Sequence, residues 1–363
     1  MVMRLSQGWH PGDPRARQRP SIFPPFRATV AALVLAILVA LVWWWTHPPD
    51  PAGELLAQHR PLVALERVPA PELGRGFERW RMIAAGRDTV TGLWRAAARR
   101  SGSRGVPVGA TAATSARGVA PMGTGAPEPP SAPEWVAVLL GGIGTDDRAA
   151  LLVPDSLPVG VLAVSWPWKG PRRMGQLEFF ASVPAFRSAL LRTPGAVARG
   201  VAAVRRACPG SRVALIGASL GVPPTVAALP LARPEALALL DGAADLSRLL
   251  RSETSRALGG GPAGAALAPA AAALGARLLS SLEPARYGSS ARGTPVLLVD
   301  AAREERYPRA CVARLHATFP HAACATHPGG HMRPGNQREV ASVVEAVWSW
   351  LDTLAVATGA PAR

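Results

Sequence analysis

Apolar positions along the chain fall into three regimes. Residues 28–45 are apolar without a break apart from Thr29. As a helix rising 1.5 Å per residue the run would be about 27 Å long, close to the hydrocarbon thickness of a bilayer. The tryptophans at 43, 44 and 45 stand where an interfacial aromatic belt belongs. A cleaved leader would need a shorter apolar core and a small-x-small site after it, which Thr46-His47-Pro48-Pro49 does not supply. The run is therefore predicted to be an uncleaved transmembrane anchor. Residues 46–100 show only irregular apolar spacing, at Trp80, Ile83, Val90 and Trp94, with Gly86 and Gly92 as breaks. They are predicted to form a partly ordered stalk with short helical pieces. Residues 101–133 are mostly Gly, Ser, Ala, Pro and Thr, which bury too little to fold and predict a flexible linker.

From residue 134 the pattern becomes regular. Short apolar runs at 135–140, 159–164, 213–217, 236–240, 295–299 and 322–326 predict buried strands of a mainly parallel sheet. Helical segments alternate with them. Thr193-Pro194 reads as an N-cap followed by proline at the first helical position. Asn336 with Glu339 reads as the capping-box-like start of a last helix. That helix should pack on the sheet through Val340, Val343, Val344, Val347, Trp348 and Leu351. Strand and helix in alternation over 134–356 predict one α/β domain, with 357–363 as a tail.

Charge then orients the anchor. The 363 residues carry 40 Lys+Arg and 24 Asp+Glu, a formal charge of +16. Arginine supplies nearly all of it, scattered along the chain, with Lys169 the sole lysine. A nucleic-acid surface would show a dense basic stripe with interleaved aromatics, so nucleic acid is not an expected partner. Arg4, Arg15, Arg17, Arg19 and Arg27 precede the apolar run against one acid, Asp13. The positive-inside bias places residues 1–27 in the cytoplasm and everything after 45 outside. In a two-membrane bacterium that is the inner membrane, with the large domain in the periplasm. The three cysteines, Cys208, Cys311 and Cys324, lack the CxxC spacing of a zinc or redox site and allow at most one disulfide.

Gly217-Ala218-Ser219-Leu220-Gly221 lies between a predicted strand and a predicted helix. A turn that sharp needs glycine at its edges and lifts the serine hydroxyl out at the carboxyl end of the sheet. From Glu134 to Leu354 the chain resembles the α/β-hydrolase family. The resemblance rests on this elbow, on the strand and loop from Pro295 to Asp300 and on to Glu304-Glu305-Arg306-Tyr307-Pro308, and on Pro328-Gly329-Gly330-His331. It implies an α/β-hydrolase fold, with a mainly parallel sheet and a small helical cap. The cap would come from the helix pair 246–256 and 263–282.

The resemblance also implies roles. Ser219 is the expected nucleophile, His331 the general base and then acid, and Glu304 the residue that orients and balances the imidazolium. His327 is the rival base, whereas His316 and His321 read as surface or packing residues. Glu305, Asp241 and Asp245 are rival acids. The oxyanion should be held by backbone N–H groups of Leu220 and Ile143, although Gly141-Gly142 stands where the family often has His-Gly. Trp166 and Trp168 are expected either to line a pocket or to cover the core. No metal or organic cofactor is implied. The expected function is a membrane-tethered serine esterase acting on a small-molecule or lipid-like ester through an acyl-enzyme. Peptidase or acyl-transfer chemistry on the same residues is one alternative, and a non-catalytic binding scaffold in the envelope is the other.

Overall fold

The computed structural model describes residues 50–98, 133–170, 176–257 and 262–357. The expected cytoplasmic tail and transmembrane anchor lie outside the described residues, as do residues 101–132 of the expected linker and 358–363 of the expected C-terminal tail. The elements run α1 (Pro51–Gln58), β1 (Leu62–Pro69), β2 (Phe77–Ala84), β3 (Thr89–Arg95), β4 (Trp135–Leu140), β5 (Gly160–Val164) and α2 (Gln176–Ala207). They continue as β6 (Arg212–Ala218), α3 (Val222–Ala227), α4 (Leu229–Ala232), β7 (Ala236–Leu240), α5 (Leu246–Ala257) and α6 (Pro262–Leu278). The last are β8 (Val296–Arg303), α7 (Arg309–Thr318), β9 (Ala323–Gly330) and α8 (Gln337–Ala357). The nine strands form one sheet in the order β1-β2-β3-β5-β4-β6-β7-β8-β9, antiparallel from β1 to β5 and parallel from β5 to β9.

The stalk expected over 46–100 is corrected by this sheet. Its described part is α1 and three antiparallel strands, and β3 pairs directly with β5, Gly92 opposite Val164. In β2 the inward positions Trp80, Met82 and Ala84 alternate with charged or half-buried ones, a period of two. Gly86 makes the turn between β2 and β3 at φ 79° rather than breaking a helix. Gly92 is required because a Cβ there would lie 2.8 Å from the Ala163 carbonyl oxygen of the neighbouring strand. Trp80 and Trp94 stack with ring centroids 4.6 Å apart. The buried Arg199 of α2 reaches across to Asp88 at 2.9 Å, tying the β2–β3 turn to the main helix layer. The chain from β3 to β4 therefore joins two parts of one sheet.

The helix expected to start at Thr193-Pro194 starts earlier, at Gln176. Pro194 denies the Leu190 carbonyl its usual N–H partner, while the Thr193 hydroxyl donates to the Ala189 carbonyl at 2.9 Å. At the start of α8, Glu339 accepts from the Gly330 N–H at 3.2 Å, pinning the end of β9 instead of closing a capping box. Val340, Val343, Val347 and Leu351 of α8 are buried, the last three among the sheet residues of its face. Among the described residues α8 alone is long and apolar enough to cross a membrane, by length and composition.

The two sheet faces are covered unequally. Helices α2, α3 and α4 pack over one face. Among the described residues the other is covered by α8 and by a seven-residue 3₁₀ segment, Asp146–Leu152, in the crossover from β4 to β5, with Leu73, Val153 and Leu157 packed beside them. The chain direction along the sheet reverses at β4, which has β5 on one side and β6 on the other. Open α/β sheets offer a crevice for ligands at the carboxyl ends of strands at such a reversal.

Candidate active site

Ser219 sits at that crevice, immediately after β6. Its backbone has φ 53°, in the left-handed region that a side chain ordinarily avoids at a cost of about 1–3 kcal/mol. The flanking glycines make the turn sterically feasible. A Cβ on Gly221 would lie 2.3 Å from the Leu140 carbonyl oxygen, and one on Gly217 would lie 2.8 Å from the Thr225 side chain. Pro223 and Pro224 fall in the first turn of α3, where their missing N–H groups cost nothing.

The Ser219 Oγ lies 2.8 Å from His331 Nε2, and His331 Nδ1 lies 2.9 Å from Glu304 Oε2. A carboxylate can only accept, so Nδ1–H donates to Glu304 and Nε2 is left to accept the serine proton. Glu304 Oε1 accepts the backbone N–H groups of Arg306 at 2.7 Å and Tyr307 at 2.9 Å. Burial alone would push the Glu304 carboxyl up. The hydrogen bonds from His331, Tyr307 and Arg306, with the imidazole charge, outweigh it and hold the carboxyl below its usual range.

The rival acids occupy other posts. Glu305 accepts the His331 backbone N–H at 2.9 Å and pairs with Arg333 at 2.9 Å, so it fixes the histidine loop and not the ring. Asp245 accepts the Arg248 N–H at 3.1 Å at the start of α5. Asp241, fully buried after β7, takes His327 Nε2 at 3.0 Å and the Met332 N–H at 2.6 Å. Burial pushes the Asp241 carboxyl up, against the pull of Met332 and His327. His327 is thus engaged behind the site and does not reach Ser219, and His316 bonds Asp300 at 2.6 Å. Asp241, Glu304 and His331 bring three ligand-type atoms within 4.8 Å of one another. Each of these groups already holds a hydrogen bond, Glu304 with His331 and Asp241 with His327 and the Met332 N–H.

Leu220 and Ile143 both line the cavity beside Ser219, where the two oxyanion donors are expected. The loop carrying Ile143 is held from behind. Trp166 Nε1 donates to the Gly141 carbonyl at 2.9 Å, the Trp166 N–H to Asp146 at 2.7 Å, and Ser165 Oγ to Asp147 at 3.1 Å. Trp166 and Trp168 therefore pack with the core and do not line the cavity. Of the expected cap, α5 borders the cavity through Leu249, Leu250 and Glu253, and α6 packs on α5. The second cap helix ends at Leu278, with a 3₁₀ turn over Ser280–Leu282.

One residue escaped the sequence reading. The Tyr307 hydroxyl lies 3.2 Å from Ser219 Oγ, and its ring meets His331 edge-on at a centroid distance of 5.0 Å. Because burial pushes the phenol up, Tyr307 keeps its proton and can donate to the serine oxygen while that oxygen donates to His331. Tyr307→Phe removes this one hydrogen bond and keeps the ring contact. It is expected to lower kcat/KM on p-nitrophenyl esters about threefold to tenfold, the span of one net hydrogen bond. The pH at which the rate is half-maximal should stay where it is.

The strand order, the left-handed serine between β6 and α3, and the acid and histidine on the loops after β8 and β9 are those of the α/β-hydrolase fold. No family model and no curated protein sequence matches the chain. Among solved structures it is similar to an esterase of Pyrococcus furiosus, with 12% identity, a TM-score of 0.48, and coverage of 81% of this chain and 97% of that one. It is also similar to a puromycin-hydrolyzing peptidase of Mycobacterium tuberculosis, at 16% identity and a TM-score of 0.47, covering 78% of this chain and 40% of that one. An esterase domain of a Rhodothermus marinus protein gives 11% identity and a TM-score of 0.41, covering 79% of this chain and 98% of that domain.

Proposed function

We propose that the chain is a membrane-tethered serine hydrolase that cleaves carboxylic esters through an acyl-enzyme on Ser219. The continuous relay from Ser219 Oγ through both nitrogens of His331 to Glu304, with bonds of 2.8 and 2.9 Å, carries this reading. In it His331 Nε2 takes the serine proton as Oγ attacks the ester carbonyl, and Glu304 steadies the imidazolium that forms. The N–H groups of Leu220 and Ile143 hold the oxyanion, and His331 returns the proton to the departing alcohol. Water then attacks the acyl-enzyme by the same route in reverse. A non-catalytic scaffold would gain nothing from a strained serine, an oriented imidazole and an acid kept ionised, all in register.

The tether rests on the apolar run 28–45 and its basic flank, with the N-terminus in the cytoplasm and the catalytic unit outside. In a two-membrane bacterium the substrate is met at the periplasmic face of the inner membrane. The test is fluorophosphonate labelling of the full-length protein in lipid nanodiscs. The wild-type serine should be labelled, Ser219→Ala should take no label, and His331→Ala should label at a small fraction of the wild-type rate. A folded wild-type protein that takes no label would overturn the reading.

A further inference from the structure

The cavity that opens beside Ser219 is about 810 Å³ and does not stop at the crevice. It continues down the sheet face, between Leu139, Val161 and Ile216 on one side and Val343, Val347 and Leu351 of α8 on the other. The cause is the uneven cover of that face, because a seven-residue 3₁₀ segment spans the β4–β5 crossover where a full helix would fill the space. Small side chains widen the gap further, Ala137 and Ala218 on the sheet and Ala149 on the crossover. Protein interiors seldom keep a void larger than a water molecule, so an apolar space of this size points to an occupant.

Its depth follows from register. Ala137, deep in the cavity, pairs with Ala214, five residues before Ser219, which at 3.3 Å per residue is about 17 Å below the nucleophile. The opposite wall agrees, since the eleven steps from Val340 to Leu351 of α8 rise about 17 Å. Helix α8 runs against the strands: its Leu354 carbonyl meets Arg212 at the start of β6, 3.4 Å away. Charged side chains lie only around the mouth, where Glu253, Arg306 and Arg333 stand.

Resting on the serine-hydrolase reading, we propose that this slot holds the acyl chain of the substrate, and that the substrate class is a long-chain acyl ester. With carbon–carbon bonds near 1.5 Å, an extended chain advances about 1.3 Å per carbon, so the slot takes about twelve carbons. The ester carbonyl then sits at Ser219, the alcohol part leaves through the charged mouth, and the chain lies along α8. Each further methylene taken into the slot removes apolar surface from water and should raise kcat/KM by roughly fourfold.

The experiment measures kcat/KM for p-nitrophenyl esters of straight-chain acids from two to sixteen carbons. It uses the full-length protein in nanodiscs and compares variants with wild type at each length, so that partition into the disc lipid cancels. Wild type should rise with length to about twelve carbons. Val347→Trp, two turns below the mouth, should move the optimum to about six to eight carbons and cut the ratio of twelve-carbon to four-carbon rates at least thirtyfold. Leu157→Trp narrows the deep end from a half-buried loop position that tolerates bulk, and should move the optimum by fewer carbons. A Ser219-dependent rate that peaks at four carbons or fewer, or tryptophans that slow all lengths equally, would overturn the slot and leave the hydrolase reading standing. Turnover that is absent at every length, or unchanged in Ser219→Ala, would overturn both.

Discussion

Ser219→Ala and His331→Ala are each expected to lower kcat/KM on p-nitrophenyl esters by about 10⁵-fold or more, and the double variant should be no slower than either single one. The two side chains are one device. Oγ is inert until Nε2, 2.8 Å away, takes its proton, and the imidazole has no role in acylation without a nucleophile to serve. What remains in all three variants is the slow attack of water on an ester already bound against the oxyanion N–H groups. Steady-state rates on the full-length protein check this, with circular dichroism confirming that the variants keep the fold. Losses that multiply in the double variant would mean that the two residues act in separate steps, and the relay would be wrong.

The second large effect belongs to Glu304. Glu304→Gln keeps size and shape but puts an amide against His331, whose N–H donors meet Nδ1. The ring then has to carry its proton on Nε2, where it faces Ser219 as a donor and cannot take the serine proton. A loss of about 10³- to 10⁴-fold in kcat/KM is expected, the scale of the wrong tautomer. Asp241→Asn should cost far less, near tenfold, because Asp241 reaches His327 and the Met332 N–H and does not touch the His331 ring. The two acids also differ in how pH acts on stability. The Glu304 carboxyl is held below its ordinary 4.5, so its contribution is present above that pH and is lost as pH falls through the folded value. The Asp241 carboxyl is pushed above its ordinary 3.8, so its contribution is present below that pH and is lost as pH rises through the folded value. Thermal unfolding on acidification should therefore show Glu304→Gln losing less stability than wild type below about pH 4.5. Equal acid sensitivity of the two proteins would refute the ionised role of Glu304.

Much of this was legible in the residues. Strands β4 to β9 are short apolar runs punctuated by Gly and Pro, and each predicted run overlaps its strand, with ends that agree or differ by a few residues. Ser219, Glu304 and His331 could be picked out because their order and settings constrain one another. Strands β1 to β3 were missed because their alternation is short and its outward positions are polar, arginine in β1 and β2 and threonine in β3, so it resembles a solvated segment until the partner strand is known. Tyr307 gave no signal, since its reach to Ser219 depends on how the loop after β8 folds back. The acyl slot is invisible in the same way: it lies where a short crossover stands beside α8 on the sheet face, and no motif spells out the space between them.

The pairing of β3 with β5 has a consequence for how the chain can be divided. A fragment beginning at residue 134 would strip β5 of its neighbour and lay bare an apolar edge ready to pair with another copy. A gene split within 101–132 does the reverse. It yields an N-terminal piece whose β3 is the missing partner of the C-terminal piece, with Arg199 and Asp88 as a second clasp between them. Such halves are natural complements: expressed together they should assemble and regain ester turnover, while either alone should aggregate.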